Sequence, residues 1–411
     1  MPDMNCVFRV KEHALHATQR SHTNKILVTC AKGITPFLRE ELLHLRFPIL
    51  SETAAGIATE GTIDDTYRLN LLLRTAHRVL FLLREFSADD PVDLYRAVSE
   101  IAWEEYISPD EYICVTSSVD NPGIRDSRFA NVKCKDAIVD RIRGETGQRP
   151  DSGPHRDRVV INLYWKGNAC SLYFDTTGES LSRRGYRKIP ETAPMQETLA
   201  AAVIMASGWD GGCHFINPMC GSGTLAIEAA LSGLKRAHGI LRSNFGFMHI
   251  RGFNRPLWEE LCSQVKRAVK KTLNYRIVAT DMRREAVEAA RENAAAAGVG
   301  HLIEFAVCDY AETMVPDGSG IVILNPEYGE RMGRIKELES VYSGIGDFLK
   351  QKCMGYTGYI FTGNPELAKK VGLRAKRRIQ FFNGPIECRL LEYELYEGSR
   401  KQRNSESGNK I

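Results

Sequence analysis

Short apolar segments alternate with helix-like segments through the second half of the chain, and this alternation constrains the fold most. Four segments are typical of strands: 214–217, 276–281, 303–309 and 321–325. Residues 286–297 have helical periodicity and stop before Gly298, the residue type expected at a helix end. Strands that alternate with helices predict an α/β fold with a parallel sheet covered on both faces.

The ends of these predicted strands carry polar or glycine-rich segments. The first strand leads into Asn217-Pro-Met-Cys-Gly-Ser-Gly-Thr224, which opens a helix, and the next two strands end at Asp281 and Asp309. Glycines let a backbone approach a ligand closely, and a helix N-terminus offers free amides. An acid at a strand end can bind a ribose diol or an adenine amino group.

Each of these features also has a simpler structural explanation. The glycine segment can be a tight strand–helix turn, Asp281 can cap the following helix, and Asp309 can be a polar strand end. The conjunction is more specific than its members. The carboxyl ends of parallel strands converge on one ligand crevice, where all of these groups would meet.

The fourth strand ends in Asn325-Pro-Glu-Tyr-Gly329. The Asn325 side chain and the Pro326 carbonyl can accept both hydrogens of an exocyclic amine, and the ring of Tyr328 can stack on a planar base. A dehydrogenase does not need this element, whereas a methyl donor beside an amine-bearing base does. The sequence therefore predicts an amine methyltransferase.

The first half has a different pattern. A strand at 25–30, a helix at 34–45 and a helix from Ser127 to Ile142 are expected, the last with Val132, Ala137, Ile138 and Ile142 toward one side. Segments 159–165 and 170–174 predict a hairpin, and Asn383-Gly384 predicts another between 378–382 and 386–396. The first half is thus expected to be a small α+β assembly, and the last hairpin an antiparallel edge of the parallel sheet.

Composition excludes several classes of protein. The chain has 411 residues, 43% hydrophobic and 26% charged, which is long enough for two or three domains with their own cores. It lacks an apolar run of about 18 residues, so no membrane partner is expected. Its 11 cysteines contain no Cys-x-x-Cys pair, which favours reduced thiols in the cytoplasm over disulfides or a metal site.

Positive charge is concentrated in one segment. Residues 121–190 contain 14 Lys or Arg and 8 Asp or Glu, a surplus of 6, while the whole chain has a net charge of +4. Such a segment can bind a phosphate backbone, although a solvated face explains it equally well.

Longer motifs resemble those of the THUMP-domain RNA guanine-N2 methyltransferases, closest to the RlmL-type enzymes of bacterial 23S rRNA. The similarity extends over about 25–396 and is carried by residues 121–128, 132–140, 174–178, 181–187, 193–200, 217–224, 325–333 and 383–388. Two residues depart from the family pattern. Asn217 replaces an acid, and Glu327 replaces a second proline.

The resemblance implies a Rossmann-like class I methyltransferase domain, an N-terminal α+β ferredoxin-like/THUMP RNA-binding module and the cofactor S-adenosylmethionine. The implied boundaries are a ferredoxin-like part (25–65), a THUMP domain (66–177), a linker (178–198) and the methyltransferase domain (199–396). The polar composition of the two ends predicts a flexible tail (1–24) and a disordered tail (397–411).

The resemblance also assigns site residues. Those implied to hold the target base are Asn325, Pro326 and Tyr328. Those implied to bind the cofactor are Asn217, Pro218, Gly221, Gly223, Thr224, Asp281, Asp309 and Glu197, although Glu197 could equally be a solvent-facing helix charge. The candidate RNA-binding residues are Arg125, Arg128, Lys133, Lys135, Arg183, Arg184 and Arg187.

The expected reaction is methylation of the exocyclic N2 of a guanine in structured RNA, with 23S rRNA favoured. Three alternatives stay open at this point. A tRNA guanine-N2 methyltransferase also uses a THUMP module, and a DNA adenine-N6 methyltransferase shares Asn-Pro-x-Tyr. A non-catalytic RNA-binding or ribosome-assembly factor would explain the departures at Asn217 and Glu327.

Overall fold

The computed structural model describes residues 23–124, 126–189, 195–328 and 335–396, which form two compact units. The first unit contains the described residues through Ala31, Thr35–Arg184 and Ala237–Ala268. The second contains Lys32–Ile34, Gly185–Arg236 and the described residues from Val269 onward. Chain order therefore does not separate the units, because Ala237–Ala268 clusters with the first unit although its neighbours in sequence belong to the second.

The first unit contains a sheet of eight strands: β1 (Asn24–Thr29), β2 (Ser51–Thr53), β3 (Gly56–Gly61), β4 (Arg78–Ser87), β5 (Tyr112–Asp120), β6 (Asp151–Ser152), β7 (Val159–Lys166) and β8 (Ala169–Asp175). Their order is β2-β3-β1-β4-β8-β7-β5-β6. The expected hairpin is confirmed as β7 paired antiparallel with β8.

The helices of the described residues are α1 (Thr35–His44), α2 (Asp65–Leu72), α3 (Pro91–Ser99), α4 (Ser127–Thr146), α5 (Glu197–Ser207), α6 (Thr224–Gly233), α7 (Arg255–Arg267), α8 (Arg284–Ala296), α9 (Ile335–Lys352) and α10 (Pro365–Lys370). Their ends follow ordinary capping chemistry. Asp90 accepts hydrogen bonds from the Val92 and Asp93 amides before α3, and Asn364 caps α10 in the same way.

Helix α4 confirms the expected helix but corrects one of its residues. It is capped by Asp126 and ends at Gly147, whose φ of 76° is left-handed. Ala137, Ile138 and Ile142 are buried as predicted, whereas Val132 is 48% exposed. Val132 lies two residues, more than half a turn, from the buried Cys134, so the helix carries it to the other side.

The second unit contains a sheet of seven strands: β9 (His214–Pro218), β10 (Ile277–Asp281), β11 (Ile303–Val307), β12 (Gly320–Leu324), β13 (Thr357–Thr362), β14 (Arg377–Asn383) and β15 (Ile386–Glu394). Their order is β11-β10-β9-β12-β13-β15-β14. The first five are parallel, and the hairpin β14–β15 adds the expected antiparallel edge.

Burial along the strands agrees with this order. Every residue of β10 and β12 is buried, as expected for central parallel strands with both faces covered, while the edge strand β11 is largely exposed. The strand order reverses between β9 and β12. This reversal is a topological switch point, where open α/β sheets bind ligands at the carboxyl ends of the strands.

Several further features of the described residues bear on function. None of the helices in this part of the chain is long and apolar enough to cross a membrane. Within the same residues, no group of three or more His, Cys, Asp or Glu side chains is placed to hold a metal ion. The cysteines that the structure describes are free thiols.

Candidate active site at the carboxyl edge of the second sheet

The glycine segment makes a tight turn between β9 and α6. Gly221 and Gly223 have φ angles of 53° and 81°, and Met219 between strand and turn has a φ of 55°. A Cβ at Gly223 would lie 2.9 Å from the Cβ of Ala290 on α8. Both a left-handed backbone and a close helix contact therefore require glycine at this position.

Asp281 ties the neighbouring strand to this turn. It is 7% exposed at the end of β10, and its Oδ2 accepts a hydrogen bond of 3.0 Å from the Gly221 amide. Its Oδ1 accepts from the Arg283 amide, also at 3.0 Å. Asp281 thus orients the glycine turn and keeps lone pairs for a ligand, since each carboxylate oxygen can accept two hydrogen bonds.

Asp309 is placed differently. It is exposed beyond the end of β11, and its carboxylate accepts a hydrogen bond of 2.9 Å from the Ala311 amide as the cap of a short 3₁₀ turn. The contact that Asp309 makes in the structure therefore agrees with the simpler explanation, a polar residue near a strand end.

Asn217 is fully buried on β9, and its amide bridges to the adjacent strand. Its Nδ2 donates a hydrogen bond of 2.9 Å to the Ile323 carbonyl of β12. Its Oδ1 is enclosed and has no hydrogen-bond donor among the described residues. An aspartate could not make the observed donation when ionised, so the departure from the family acid exchanges a charge for a donor.

Asn325 directly follows β12, the strand that Asn217 contacts. Its Oδ1 is likewise enclosed without a donor from the part of the chain that the structure describes, and Pro326 beside it is buried. A buried, unpaired amide oxygen costs about 1–3 kcal/mol, a cost that a donor from a ligand would relieve.

Tyr328 is held from several directions. Its Oη accepts a hydrogen bond of 2.8 Å from the Asn383 side chain, and its carbonyl accepts one of 3.4 Å from the Asn364 side chain. A Cβ at Gly363 would lie 3.0 Å from the ring. Burial raises the pKa of the nearby Cys388 thiol, with a smaller opposing contribution from its hydrogen bond to Tyr328. The ring is thus fixed by β13 and by the β14–β15 hairpin.

Family models match almost all of the described chain. An RMKL-like methyltransferase domain matches residues 184–392, an RlmL ferredoxin-like domain 25–80 and a THUMP domain 88–175. The chain belongs to the RMKL-like methyltransferase family. The resemblance inferred from the sequence motifs is confirmed, as is the combination of a methyltransferase domain with ferredoxin-like and THUMP domains.

Two relatives and one solved structure illustrate the similarity. A protein of Syntrophotalea carbinolica named "Ribosomal RNA large subunit methyltransferase K/L" is 38% identical over 91% of this chain and 54% of its own length. A "Putative RNA methyltransferase" of Synechocystis is 36% identical over 91% of this chain and 97% of its length. The crystal structure of SMU.472, a putative methyltransferase complexed with SAH, superposes with a TM-score of 0.82 at 26% identity, covering 92% of this chain and 99% of that one. This chain spans about half the length of the K/L relatives.

Within this family member, Glu197 is not the solvent-facing charge that the sequence allowed. It begins α5, is 6% exposed, and forms an ion pair of 3.2 Å with Arg187. Arg187 also donates to the Ser222 and Thr224 hydroxyls of the glycine turn. The structure thus brings Thr224 and Glu197 together around an arginine that had been expected to bind RNA.

The other candidate RNA-binding residues divide by exposure. Arg184 is fully buried and donates to the Arg74 carbonyl, so with the enclosed Arg187 it is no longer proposed as an RNA contact. Arg183 remains exposed. The exposed or partly exposed candidates on α4 are Arg128, Lys133 and Lys135, and Arg125 lies outside the described residues.

Sequence reasoning missed Asn293 and the hydrogen-bonding role of Asn383. Asn293 is buried on α8, accepts from the Lys188 and Ile189 amides, and donates to the Ser222 carbonyl. A signal was present, because Asn293 interrupts an alanine-rich apolar face at helical spacing from Ala286 and Ala290. Asn383 was explained by the hairpin turn that Asn-Gly pairs favour, so its side-chain contact with Tyr328 was not predicted.

Proposed function

We propose that this protein is an S-adenosylmethionine-dependent RNA methyltransferase that modifies the exocyclic N2 of a guanine, with 23S rRNA as the favoured substrate. Membership of the RMKL-like methyltransferase family supports the reaction type. The THUMP match and the names of the K/L relatives support an RNA substrate from the large ribosomal subunit.

The observation that carries the proposal is the enclosed Oδ1 of Asn325 at the switch point of the sheet, without a donor from the described residues. An exocyclic amine offers two hydrogens, and Asn325 with the adjacent Pro326 carbonyl offers two acceptors. Accepting both hydrogens would draw the amine nitrogen toward tetrahedral geometry and free its lone pair.

The cofactor fits the residues present. Asp281, whose carboxylate already binds the Gly221 amide, would accept from ribose hydroxyls. Gly221 and Gly223 have no side chains, so the backbone at these two residues can approach a ligand closely. When bound, S-adenosylmethionine supplies an electrophilic methyl group on a positively charged sulfur.

The other role of the protein's residues is to position the target base and the RNA. A target base must leave its stack at a cost of a few kcal/mol, and stacking on Tyr328 offsets about 1–3 kcal/mol of that cost. Because Asn383 and Gly363 contact the ring and Asn364 binds the Tyr328 carbonyl, little ordering of Tyr328 remains when the base arrives. The exposed basic residues of α4 would bind RNA phosphates, so we expect salt-dependent affinity.

The proposal is tested by methyl transfer from tritiated S-adenosylmethionine to 23S rRNA, tRNA and DNA, followed by mapping of the modified nucleotide. We expect N2-methylguanine in 23S rRNA. Label in tRNA or in DNA adenine would replace the substrate assignment, and binding of RNA without any transfer would favour the non-catalytic alternative.

A variant links the reaction to the site. Asn325→Ala should reduce the single-turnover rate at least about 100-fold, comparable to loss of a preorganised polar group in other enzymes, while cofactor affinity persists. The matched control is Asn274→Ala, an exposed asparagine of the same unit. Retained transfer by Asn325→Ala would contradict the role given to its amide oxygen.

A further inference from the structure

Arg187 occupies an enclosed position at the junction of three segments of the second unit. Its side chain is 15% exposed, whereas that of the nearby Arg183 is 78% exposed. Its guanidinium donates to the Glu197 carboxylate at 3.2 Å and to the Met195 carbonyl at 2.8 Å. It also donates to the hydroxyls of Ser222 at 3.3 Å and Thr224 at 3.2 Å.

These contacts span both sides of Gly223, the most constrained residue of the glycine turn. Ser222 and Thr224 are its immediate neighbours, and both are buried. Only a planar group with several fixed N–H donors can serve four acceptors at once, and a lysine ammonium cannot reproduce this arrangement. The turn is therefore held through the side chains of the two residues that flank Gly223.

Arg187 also stabilises a largely buried negative charge. The Glu197 side chain is only 8% exposed, and a buried carboxylate is unfavourable unless it is paired. Removing Arg187 would take the cation of this ion pair away from a largely buried carboxylate. The loss would act at the start of α5, beside the glycine turn.

The segment that contains Arg187 is itself anchored. The Oδ1 of Asn293 accepts from the amides of Lys188 at 2.7 Å and Ile189 at 3.2 Å, and Tyr186 shares a hydrogen bond of 3.0 Å with Glu228 of α6. Three successive linker residues are thus attached to α6, the glycine turn and α8. The main chain at Arg187 is therefore held in place, so its side chain can position the turn.

We propose that Arg187 is a positioning residue for the cofactor, acting through Ser222 and Thr224 and through its ion pair with Glu197. This inference rests on the proposed cofactor, S-adenosylmethionine. Arg187 does not need to contact the cofactor, because its effect is to hold the backbone of the turn in its binding conformation.

The test compares Arg187→Gln, Arg187→Lys, Glu197→Gln and the double variant Arg187→Gln/Glu197→Gln. The control is Arg276→Gln, which removes an exposed arginine–glutamate pair with Glu304 at the opposite end of β10. Dissociation constants for S-adenosylhomocysteine are measured by calorimetry, alongside melting temperatures and the KM and kcat for S-adenosylmethionine.

We expect Arg187→Gln to raise the dissociation constant about tenfold, which corresponds to the loss of about one hydrogen-bonded contact. The KM should rise with it while kcat changes little, since uniform binding is lost. The dissociation constant of Arg187→Lys should lie between those of the wild type and Arg187→Gln, because lysine keeps the positive charge but lacks the planar set of N–H donors. The double variant should recover part of the affinity, since it removes the buried negative charge together with its cationic partner.

The outcomes separate this inference from the proposed function. Absence of S-adenosylhomocysteine binding by the wild-type protein would overturn both. Tight binding by the wild type with equal affinities for Arg187→Gln and Arg276→Gln would overturn only the positioning role. If Arg187→Gln does not fold, Arg187→Lys and Glu197→Gln decide, and unchanged affinities in both would contradict the proposal.

Discussion

Replacing Gly223 by alanine should have two separable costs. At φ 81° and ψ 11°, an L-residue costs about 1–2 kcal/mol relative to glycine. The added Cβ would also lie 2.9 Å from the Cβ of Ala290 and 3.2 Å from its Cα, and overpacking of this kind costs about 1–3 kcal/mol. We therefore expect Gly223→Ala to destabilise the second unit by about 2–5 kcal/mol.

A matched glycine isolates the steric part. Gly208 after α5 has nearly the same backbone, φ 72° and ψ 9°, but a Cβ there would meet no atom within 4 Å among the described residues. Gly208→Ala should therefore carry only the backbone cost. Adding Ala290→Gly to Gly223→Ala should restore part of the difference, although the Ala290 Cα remains close.

Hydrogen exchange of the amides in β9 and β12 measures the stability of this unit, and calorimetry with S-adenosylhomocysteine measures the effect on the site. The loss of unfolding free energy in Gly223→Ala should exceed that in Gly208→Ala by about 1–3 kcal/mol. The double variant with Ala290→Gly should show a favourable coupling energy. Equal losses at the two glycines, or independent effects of Gly223→Ala and Ala290→Gly, would refute the packing argument.

Two further predictions concern buried polar groups. Neither ring nitrogen of the buried His238 has a partner among the described residues, so His238→Leu should stabilise the first unit by about 1–3 kcal/mol. Burial, with smaller contributions from Arg184, Arg74 and Arg242, holds the pKa of His238 well below its ordinary 6.5. The unfolded chain therefore binds a proton that the folded wild type does not, wild-type stability falls as the pH drops below about 6.5, and the advantage of the leucine variant should grow. Urea unfolding near pH 8 and near pH 5.5 measures this, and a constant difference would contradict it. Asn383→Ala and Tyr328→Phe should each lower the transfer rate about two- to tenfold with S-adenosylhomocysteine affinity unchanged, because both remove the 2.8 Å contact between Asn383 and Tyr328. Single-turnover assays of the two variants and their combination check this, and fully additive losses would show that the contact is not shared.

The order of chemical groups along the second sheet could be predicted because each motif lies at a strand end. Strand alternation identifies a parallel sheet, and parallel strands present their carboxyl ends at one edge. The placement of Asn217, Asp281 and Asn325 therefore required no knowledge of side-chain contacts. Asp309 followed the same rule of position, but its exposure and capping contact depend on the edge location of β11.

The three arginines of residues 183–187 show what local patterns cannot reveal. Arg183, Arg184 and Arg187 lie in one basic segment, and composition treats them alike. Their environments differ because Arg184 is buried near the Arg74 carbonyl and Arg187 meets Glu197, partners 110 and 10 residues away. Whether a charge faces solvent or a buried carboxylate is decided by packing.

The two departures from the family pattern have different physical consequences. Glu327 is exposed and changes the surface of the segment that follows β12, while the Pro326 carbonyl, proposed to accept from the target amine, is retained. Asn217 is fully buried and changes an interior contact, since its amide donates to the main chain of β12 two residues before Asn325. The bond connects the strand that leads into the glycine turn with the strand that precedes Asn325, the residue proposed to bind the target base. An acid at this position would need a proton to make the same donation, whereas asparagine adds this bond to the backbone pairing of β9 and β12 without one.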